Sequence, residues 1–249
     1  MEVHHHSHTP RKKWAHYFWE FLMLFLAVFC GFLAENFREH QVEHQREKQY
    51  IRSMIEDLAM DTSNLNQVTR GYERKAALFD SLILGFDEGT HQFNKTWANQ
   101  FLKAFRLGYP DYYPTDRTLQ QLKNAGGLRL IRNEKASDGI INYDAASKDI
   151  LTEEQFVSIS QENFINEALK LWSVKNMMKD AGITSYVLHR GLVINKNYWI
   201  SSDPIALELL FNRLSTYYET LIRHRQDFLK QKEKAIHLIA LLNKEYHMD

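Results

Sequence analysis

The segment WAHYFWEFLMLFLAVFCGFLA, residues 14–34, decides how the chain begins. After Glu20 every side chain in it is apolar or small, and its length is roughly the 20 residues that cross a hydrocarbon core about 30 Å thick. Aromatic rings crowd its first turns, and the basic run RKK at 11–13 precedes them, as is typical of a helix end at the membrane surface. The sequence therefore predicts one transmembrane helix over residues 14–35.

Two other interpretations of this segment compete with an anchor. A cleaved secretory signal has the same basic start, but it needs a shorter apolar run and a small-residue cleavage site, for which Ala34, Glu35 and Asn36 are poor. A helix buried inside a soluble protein is the second alternative. The flanking rings and basic residues favour the uncleaved membrane anchor over both.

The composition disfavours nucleic-acid binding and favours a helical soluble part. Lys and Arg total 31 and Asp and Glu total 31, so no net positive field attracts nucleic acid. Charged residues make up 25% of the 249 residues and Gly and Pro are few, which is typical of helices with charged surfaces. Because Cys30 is the single cysteine, no intrachain disulfide forms and packing must hold the fold.

A heptad seam follows the apolar segment. Apolar or small residues recur with alternating steps of four and three, at Ile51, Ile55, Leu58, Thr62, Leu65, Thr69, Tyr72, Ala76, Phe79, Ile83 and Phe86. This repeat predicts a long helix that packs in a left-handed bundle or coiled coil and continues directly from the membrane helix. Gly71 and the polar cluster DTSN at 61–64 are the places where the helix could break.

Two more long helices are predicted in the second half of the chain. One begins at Asn133, a good N-cap, and ends at Gly182. The other begins after the cap residue Asp203, with Pro204 in its first turn. Its seam positions at seven-residue spacing are Leu214, Leu221 and Phe228. Together the three helices predict a mainly α fold in which an elongated antiparallel bundle follows the membrane helix.

Between the first two long helices lies an irregular cap region, residues 87–132, where short helical pieces alternate with Gly and Pro. Aromatic and arginine side chains are interleaved there, and both types are enriched at partner surfaces. The candidate residues for a ligand or partner surface are Trp97, Tyr109, Tyr112, Tyr113, Arg117, Arg129 and Arg132. The alternative is that the rings only close the end of the bundle. A second stretch, Tyr186 to Ile200, is predicted to be extended or a short hairpin.

The chain contains no familiar catalytic motif. It has no phosphate-binding glycine loop, no H-E-x-x-H, no G-x-S-x-G and no paired-cysteine metal spacing, so we expect neither an enzyme nor a cofactor. The tail, residues 1–13, offers the imidazoles of His4, His5, His6 and His8 as ligands for a divalent transition metal. A mobile tail binds metal only loosely unless something organises it, so a tail without a metal role is the alternative.

Small residues on the membrane helix suggest self-association. Ala27 and Gly31 are four apart and share one helix face, where small side chains let two membrane helices approach closely. A homo-oligomer is therefore one predicted state. The alternative is that these residues have no specific partner.

Four phrases carry a resemblance to a known group of proteins: MEVHHHSHTPRKKW, YFWEFLMLFLAVFCGFLAEN, REKQYIRSMIEDL and TLQQLKNAGGLRLI. The chain resembles a family of membrane-anchored bacterial proteins that begin MEVHHH and contain a domain of unknown function. The resemblance covers most of the chain and implies the envelope of a Gram-negative bacterium. It implies no activity, cofactor or catalytic residue.

Basic residues lie on both sides of the apolar segment, so their number alone does not fix its orientation. Their density in the run at 11–13 favours a cytoplasmic N-terminus. We expect a single-pass inner-membrane protein whose helical domain, residues 36–249, lies in the periplasm. The predicted function is a non-enzymatic scaffold that contacts the membrane and either itself or another protein. The alternative is a ligand-sensing bundle that works through a separate transducer.

Overall fold

A computed structural model of the chain describes residues 14–87, 95–108, 111–124, 126–176, 198, 200–201 and 203–248. The helices are α1 (Trp14–Asp87), α2 (Lys95–Arg106), α3 (Arg117–Asn124), a 3-10 turn (Gly127–Leu130), α4 (Glu134–Leu171) and α5 (Pro204–Tyr246). No strand occurs within the described ranges. The predicted mainly α class is confirmed. The chain divides into two compact units, Met1–Tyr50 and Ile51–Asp249.

The described part of the first unit is the N-terminal portion of α1. Among the described residues one helix is long and apolar enough to cross a membrane, with a window of mean hydropathy 2.0 of which 0% is buried. Three rings stack along one side, with centroids 6.2 Å apart for Phe21 and Phe25 and 5.9 Å for Phe25 and Phe29. Exposed apolar side chains of this kind suit a lipid environment, so the helix is compatible with a single-pass anchor.

Helix α1 runs without a break through both predicted weak points. Its 74 residues confirm that the apolar segment continues directly into the heptad seam. Two threonines on this helix donate their hydroxyls to carbonyl oxygens one turn earlier. Thr62 Oγ1 donates to the carbonyl oxygen of Leu58 at 2.8 Å, and Thr69 Oγ1 donates to that of Leu65 at 2.6 Å.

Both predicted N-caps are confirmed. The Asn133 side chain accepts from Ala136 N at 3.1 Å, and the Asp203 carboxylate accepts from the first amides of α5 at 3.3 and 3.4 Å. Helix α4 ends at Leu171, before the predicted end, and Gly182 lies outside the described residues.

An extended residue, Trp172, ends α4. Trp172 has φ −124° and ψ 129°. Ile200 N donates to Leu171 O and Ser173 N donates to Tyr198 O, both at 2.9 Å, which ties this end to the entry of α5. Tyr198 and Ile200 are the only described residues of the predicted extended stretch; the rest of it lies outside the described residues.

The second unit, from Ile51 onward, packs α1, α4 and α5 around one core. Helix α5 is antiparallel to α4, because Asn133 at the start of α4 bonds Glu245 near the end of α5 at 2.6 Å. It is also antiparallel to α1, since Arg225 contacts Glu73 while Tyr218, earlier in α5, contacts Asp80. Helices α1 and α4 therefore run in the same direction, and the cap region returns the chain from the end of α1 to the start of α4.

The core is formed by buried side chains of the three helices together with Trp97, Phe101 and Tyr112 of the cap region. Leu214, Leu221 and Phe228 are 0% exposed, as predicted for the α5 seam. On α1 the buried surface is wider than one heptad seam, because α4, α5 and the cap region all pack on it. The additional buried positions on α1 in this unit are Met54, Asp57, Asp61, Val68, Gly71, Lys75 and Leu82.

Two glycines have a clear structural role. Gly126 has φ +62° and begins the 3-10 turn in the left-handed conformation that other residues rarely adopt. At Gly139 an added Cβ would lie 2.8 Å from Leu238 Cδ1, so its hydrogen lets α5 approach α4 closely.

Candidate interaction surface

The predicted surface residues of the cap region lie in several separate places. Trp97 is buried at the far end of α1, where its Nε1 donates to Leu82 O at 3.2 Å. Its ring stacks on Phe101 at 5.5 Å, and Phe101 in turn contacts Trp172 at 4.7 Å. Trp97 therefore closes this end of the core.

Tyr112 is the second predicted residue that the structure buries. It is 0% exposed and lies against Phe228, with ring centroids 5.7 Å apart. Its hydroxyl lies 3.4 Å from Asp61 Oδ2, and its backbone N–H donates to Glu154 Oε1 at 3.1 Å. Burial raises the pKa of the Tyr112 hydroxyl, and the nearby Asp61 carboxylate raises it further. Tyr112 joins α1, α4 and α5 as a core residue.

Arg117 attaches the start of α3 to α1. Its Nη2 donates to Asp57 Oδ1 at 2.8 Å, while Thr118 N donates to Asp57 Oδ2 at 2.8 Å. A carboxylate at a helix N-terminus accepts a free N–H and is favoured by the helix dipole, so Asp57 acts as a cap supplied by another helix. One face of the Arg117 guanidinium is thus engaged, although 60% of its side chain stays exposed.

The remaining predicted residues point elsewhere or are not described. Tyr113 is 74% exposed and its hydroxyl lies 3.4 Å from Asp111 Oδ2. Arg129 lies in the 3-10 turn and Arg132 follows it, and both side chains are exposed. Tyr109 lies outside the described residues, as do His4, His5, His6 and His8. The described members do not converge on one pocket.

The residues that organise this region were not predicted from the sequence. Asp61 is 1% exposed and accepts from Tyr143 Oη at 2.9 Å and from Thr115 N at 2.5 Å. Burial raises the pKa of Tyr143, and that of Glu154 is raised by burial as well. The available signal was the spacing of Asp57 and Asp61, which are four apart and lie directly beside the apolar seam.

A polar layer also joins α4 to α5. Gln231 is 1% exposed, and its Nε2 donates to Ser147 Oγ at 2.8 Å and to Tyr143 O at 3.2 Å. These bonds place residue 147 of α4 and residue 231 of α5 at the same height along the two helices.

Two ionisable side chains are buried in the middle of the core. Lys75 is 1% exposed, its Nζ lies 5.6 Å from the centre of the Tyr217 ring, and burial lowers its pKa to about 8. His224 packs edge-on against Phe228 at 4.4 Å, and burial lowers its pKa to about 4. His224 is therefore neutral at pH 7, and both residues belong to the packing between α1 and α5.

The three helix pairs differ in what covers the groove between them. The cap region fills the groove between α1 and α4 through Asp57, Asp61 and Glu154. Cross-helix bonds to Arg225 and Tyr218 bridge α1 and α5. The groove between α4 and α5 is open to solvent and has a volume of about 600 Å³.

This α4–α5 groove has walls of opposite charge. The α4 wall presents the carboxylates of Asp149 and Glu153. The α5 wall presents three cations and one acid: Arg223, Lys230, Lys234 and Asp227, of which Lys230 and Asp227 bond at 3.1 Å. Its floor and rim contain the apolar side chains Ala146, Ile150 and Phe156. Phe156 is 52% exposed.

A smaller, more enclosed cavity of about 140 Å³ lies between α1, α3 and α4. Its apolar lining includes Leu58, Leu119 and Ile140, and its polar lining includes Asp61, Tyr143, Asp144 and Lys148. Lys123 and Lys148 both bond Asp144 Oδ2 beside this cavity, at 2.7 and 2.8 Å.

Comparison of the chain with known protein families, curated proteins and solved structures found no match. Within the described ranges no group of three or more His, Cys, Asp or Glu side chains is arranged to hold a metal ion.

Proposed function

We propose that this protein is a membrane-anchored, non-enzymatic scaffold of a bacterial cell envelope, which self-associates or holds a protein partner through its helical bundle. The observation that carries the proposal is the α4–α5 groove. It is the groove of the bundle that the described residues leave open, and it combines an apolar floor with charged walls. Surfaces of this composition are typical of protein partners.

The internal contacts support the same proposal. Within the described part of the chain, the buried carboxylates of Asp57 and Asp61 and the half-buried carboxylate of Glu154 hold the cap region against the helices. Each accepts a backbone N–H from the cap region. Their bonds account for their burial without a reaction.

The proposed setting follows from the anchor and from the resemblance described above. We propose that the chain belongs to the family of membrane-anchored bacterial proteins that it resembles. In this arrangement the N-terminus is cytoplasmic, the apolar part of α1 crosses the inner membrane, and the unit from Ile51 onward lies in the periplasm. The helix that is compatible with an anchor supports a membrane position, and the basic run at 11–13 supports the orientation.

Affinity capture from native membranes tests the scaffold function. A tagged full-length chain, solubilised after crosslinking, is expected to retain either a second copy or another protein in a fixed ratio. A chain recovered only as a monomer without any partner would contradict the proposal.

The enclosed cavity favours ligand sensing as a second candidate function. A volume of about 140 Å³ fits a small, mostly apolar molecule whose polar group faces Asp61 and Tyr143. Thermal unfolding of the full chain in detergent with a panel of small phenols and alcohols tests this function. A stabilisation that Leu119→Trp abolishes, because the ring fills the cavity, would support it, whereas no stabilisation by any of them would count against it.

A further inference from the structure

The charge pattern of the α4–α5 groove identifies its occupant. We propose that the groove is the interface of a parallel homodimer, in which a second copy of this chain covers it through a two-fold axis that runs along the groove. This inference rests on the proposed scaffold function and names the partner.

Symmetry decides between the possible arrangements. When two identical patches face each other, the two-fold axis lies in the plane between them. An axis along the groove puts the α4 wall of one copy opposite the α5 wall of the other. An axis across the groove instead puts α4 opposite α4, so that Asp149 and Glu153 meet the same carboxylates. Like charges that face each other disfavour an interface, and therefore the pattern selects the axis along the groove.

The heights of the charged residues agree with this axis. A rotation about an axis parallel to the helices leaves every residue at its own height. The bond between Ser147 and Gln231 places α4 and α5 in register, and Asp149 and Lys230 lie next to these two residues. Asp149 of one copy therefore meets Lys230 of the other. Glu153, one helical turn farther along α4, meets the turn of α5 that holds Arg223 and Asp227.

The direction of the chains gives a second, independent reason. In the parallel arrangement the Ile51 ends of both copies lie at the same end of the dimer. Two chains anchored in one membrane require this, because each enters its helical unit through Ile51. The axis across the groove would place the two Ile51 ends at opposite ends. Exposed Phe156 and half-buried Ala146 on the groove floor and rim supply apolar area that the second copy would cover.

Reversing the charge of one wall at a time tests the interface. Variant P carries Asp149→Lys and Glu153→Lys, so both walls are positive. Variant N carries Arg223→Glu and Lys230→Glu, so both walls have a net negative charge although Lys234 stays in the α5 wall. Two differently tagged full-length copies are expressed in the same membrane, and the amount of the second tag captured with the first is measured without crosslinking.

We expect wild type to capture wild type, and P with P and N with N to lose at least about tenfold in capture. P with N should recover to the wild-type amount, because every wall then faces its opposite charge. A matched control, Asp138→Lys with Glu162→Lys, reverses two exposed acids of α4 outside the groove and should leave capture unchanged.

Three outcomes would overturn the homodimer. The first is wild-type capture by P with P or by N with N. The second is failure of P with N to recover although both variants keep wild-type helix content by circular dichroism. In the third, wild type captures no second copy. If another protein is then captured instead, the scaffold function stands and only the homodimer is wrong, whereas capture of neither would remove both.

Discussion

At the scale of single residues, the fold depends on a few buried charges that connect distant parts of the chain. The Asp61 carboxylate, on α1, receives Thr115 N from the cap region and the Tyr143 hydroxyl from α4. Asp57, one turn earlier, receives Thr118 N and Arg117. Each carboxylate is 1% exposed, so its hydrogen bonds must replace the water that it loses on folding.

Replacing Asp61 with Asn should destabilise the second unit. The amide keeps the shape but has no charge. Its one oxygen can still accept from Thr115 N, but the NH2 group in place of Oδ2 cannot accept from the Tyr143 hydroxyl. We expect a loss of at least about 1.5 to 3 kcal/mol, the contribution of one hydrogen bond to a charged group. Urea unfolding of the full chain in detergent, followed by circular dichroism, measures this. Asp111→Asn, at an exposed position, is the control and should change stability by no more than about 0.5 kcal/mol.

Lys75 differs from Asp57 and Asp61, because burying its charged ammonium group lowers the stability of the folded chain. Its pKa in the folded chain is about 8, below the ordinary value of 10.5. Between these two pH values the unfolded chain binds more protons than the folded chain, so stability rises with pH. Below about pH 8 both states are protonated and the cost of burying the charge is complete.

Lys75→Met should therefore stabilise the protein at pH 7, by on the order of 3 kcal/mol. The advantage of the variant over wild type should shrink as the pH rises from 8 to 10.5. Urea unfolding of both chains at pH 7, 9 and 10.5 gives the difference. Arg74→Met, at the exposed neighbouring position, should show little effect at any pH. If the difference in unfolding free energy between Lys75→Met and wild type stayed constant from pH 7 to pH 10.5, the burial cost assigned to Lys75 would be wrong.

At the scale of helices, local signals predicted the starts and long-range contacts decided the rest. Asn133 and Asp203 cap within three residues of themselves, so the sequence alone identified both helix starts. The path of the cap region depends on bonds from Tyr112 and Thr115 to α1 and α4, more than 40 positions away. Spacing along a sequence carries no information about such bonds, which explains why the predicted surface residues do not form one group.

Leu221→Ala tests the shared core. Leu221 is 0% exposed on α5, so truncation should cost roughly 2 to 5 kcal/mol through lost burial and a remaining cavity. Glu219→Ala, at an exposed position of the same helix, should cost no more than about 0.5 kcal/mol. The thermal midpoint of the full chain in detergent measures both. If the two variants melted at the same temperature, the seam assigned to α5 would be wrong.

Leu24→Arg tests the anchor. Leu24 is 69% exposed in the apolar part of α1, and an arginine at the centre of a membrane helix costs about 2.5 to 3.5 kcal/mol on insertion scales. We expect the variant to leave the membrane fraction after carbonate washing. Leu24→Ala keeps the segment apolar and should remain there. Unchanged fractionation of the arginine variant would mean that another segment holds the chain at the membrane.

At the scale of the whole molecule, a single membrane helix predicts that the N-terminal tail and the helical unit lie on opposite sides of the membrane. In a chain with one membrane helix, everything after it lies on one side and the tail lies on the other. The number of basic residues does not determine on which side of the membrane the helical unit lies, because basic residues occur both before and after the apolar segment. The acidic residues among them contribute little to orientation. The proposed parallel homodimer is compatible with either side, so orientation needs its own measurement.

Cysteine labelling measures it. In a Cys30→Ser background, Lys244→Cys places a thiol on an exposed position near the end of α5, and Ser7→Cys places one in the N-terminal tail. A membrane-impermeant maleimide is added to cells whose outer membrane has been opened. We expect Cys at position 244 to react before lysis and Cys at position 7 only after it, since RKK at 11–13 should hold the tail in the cytoplasm. The reverse pattern would place the helical unit in the cytoplasm. Equal labelling of both sites before lysis would mean that the apolar segment does not span the membrane at all.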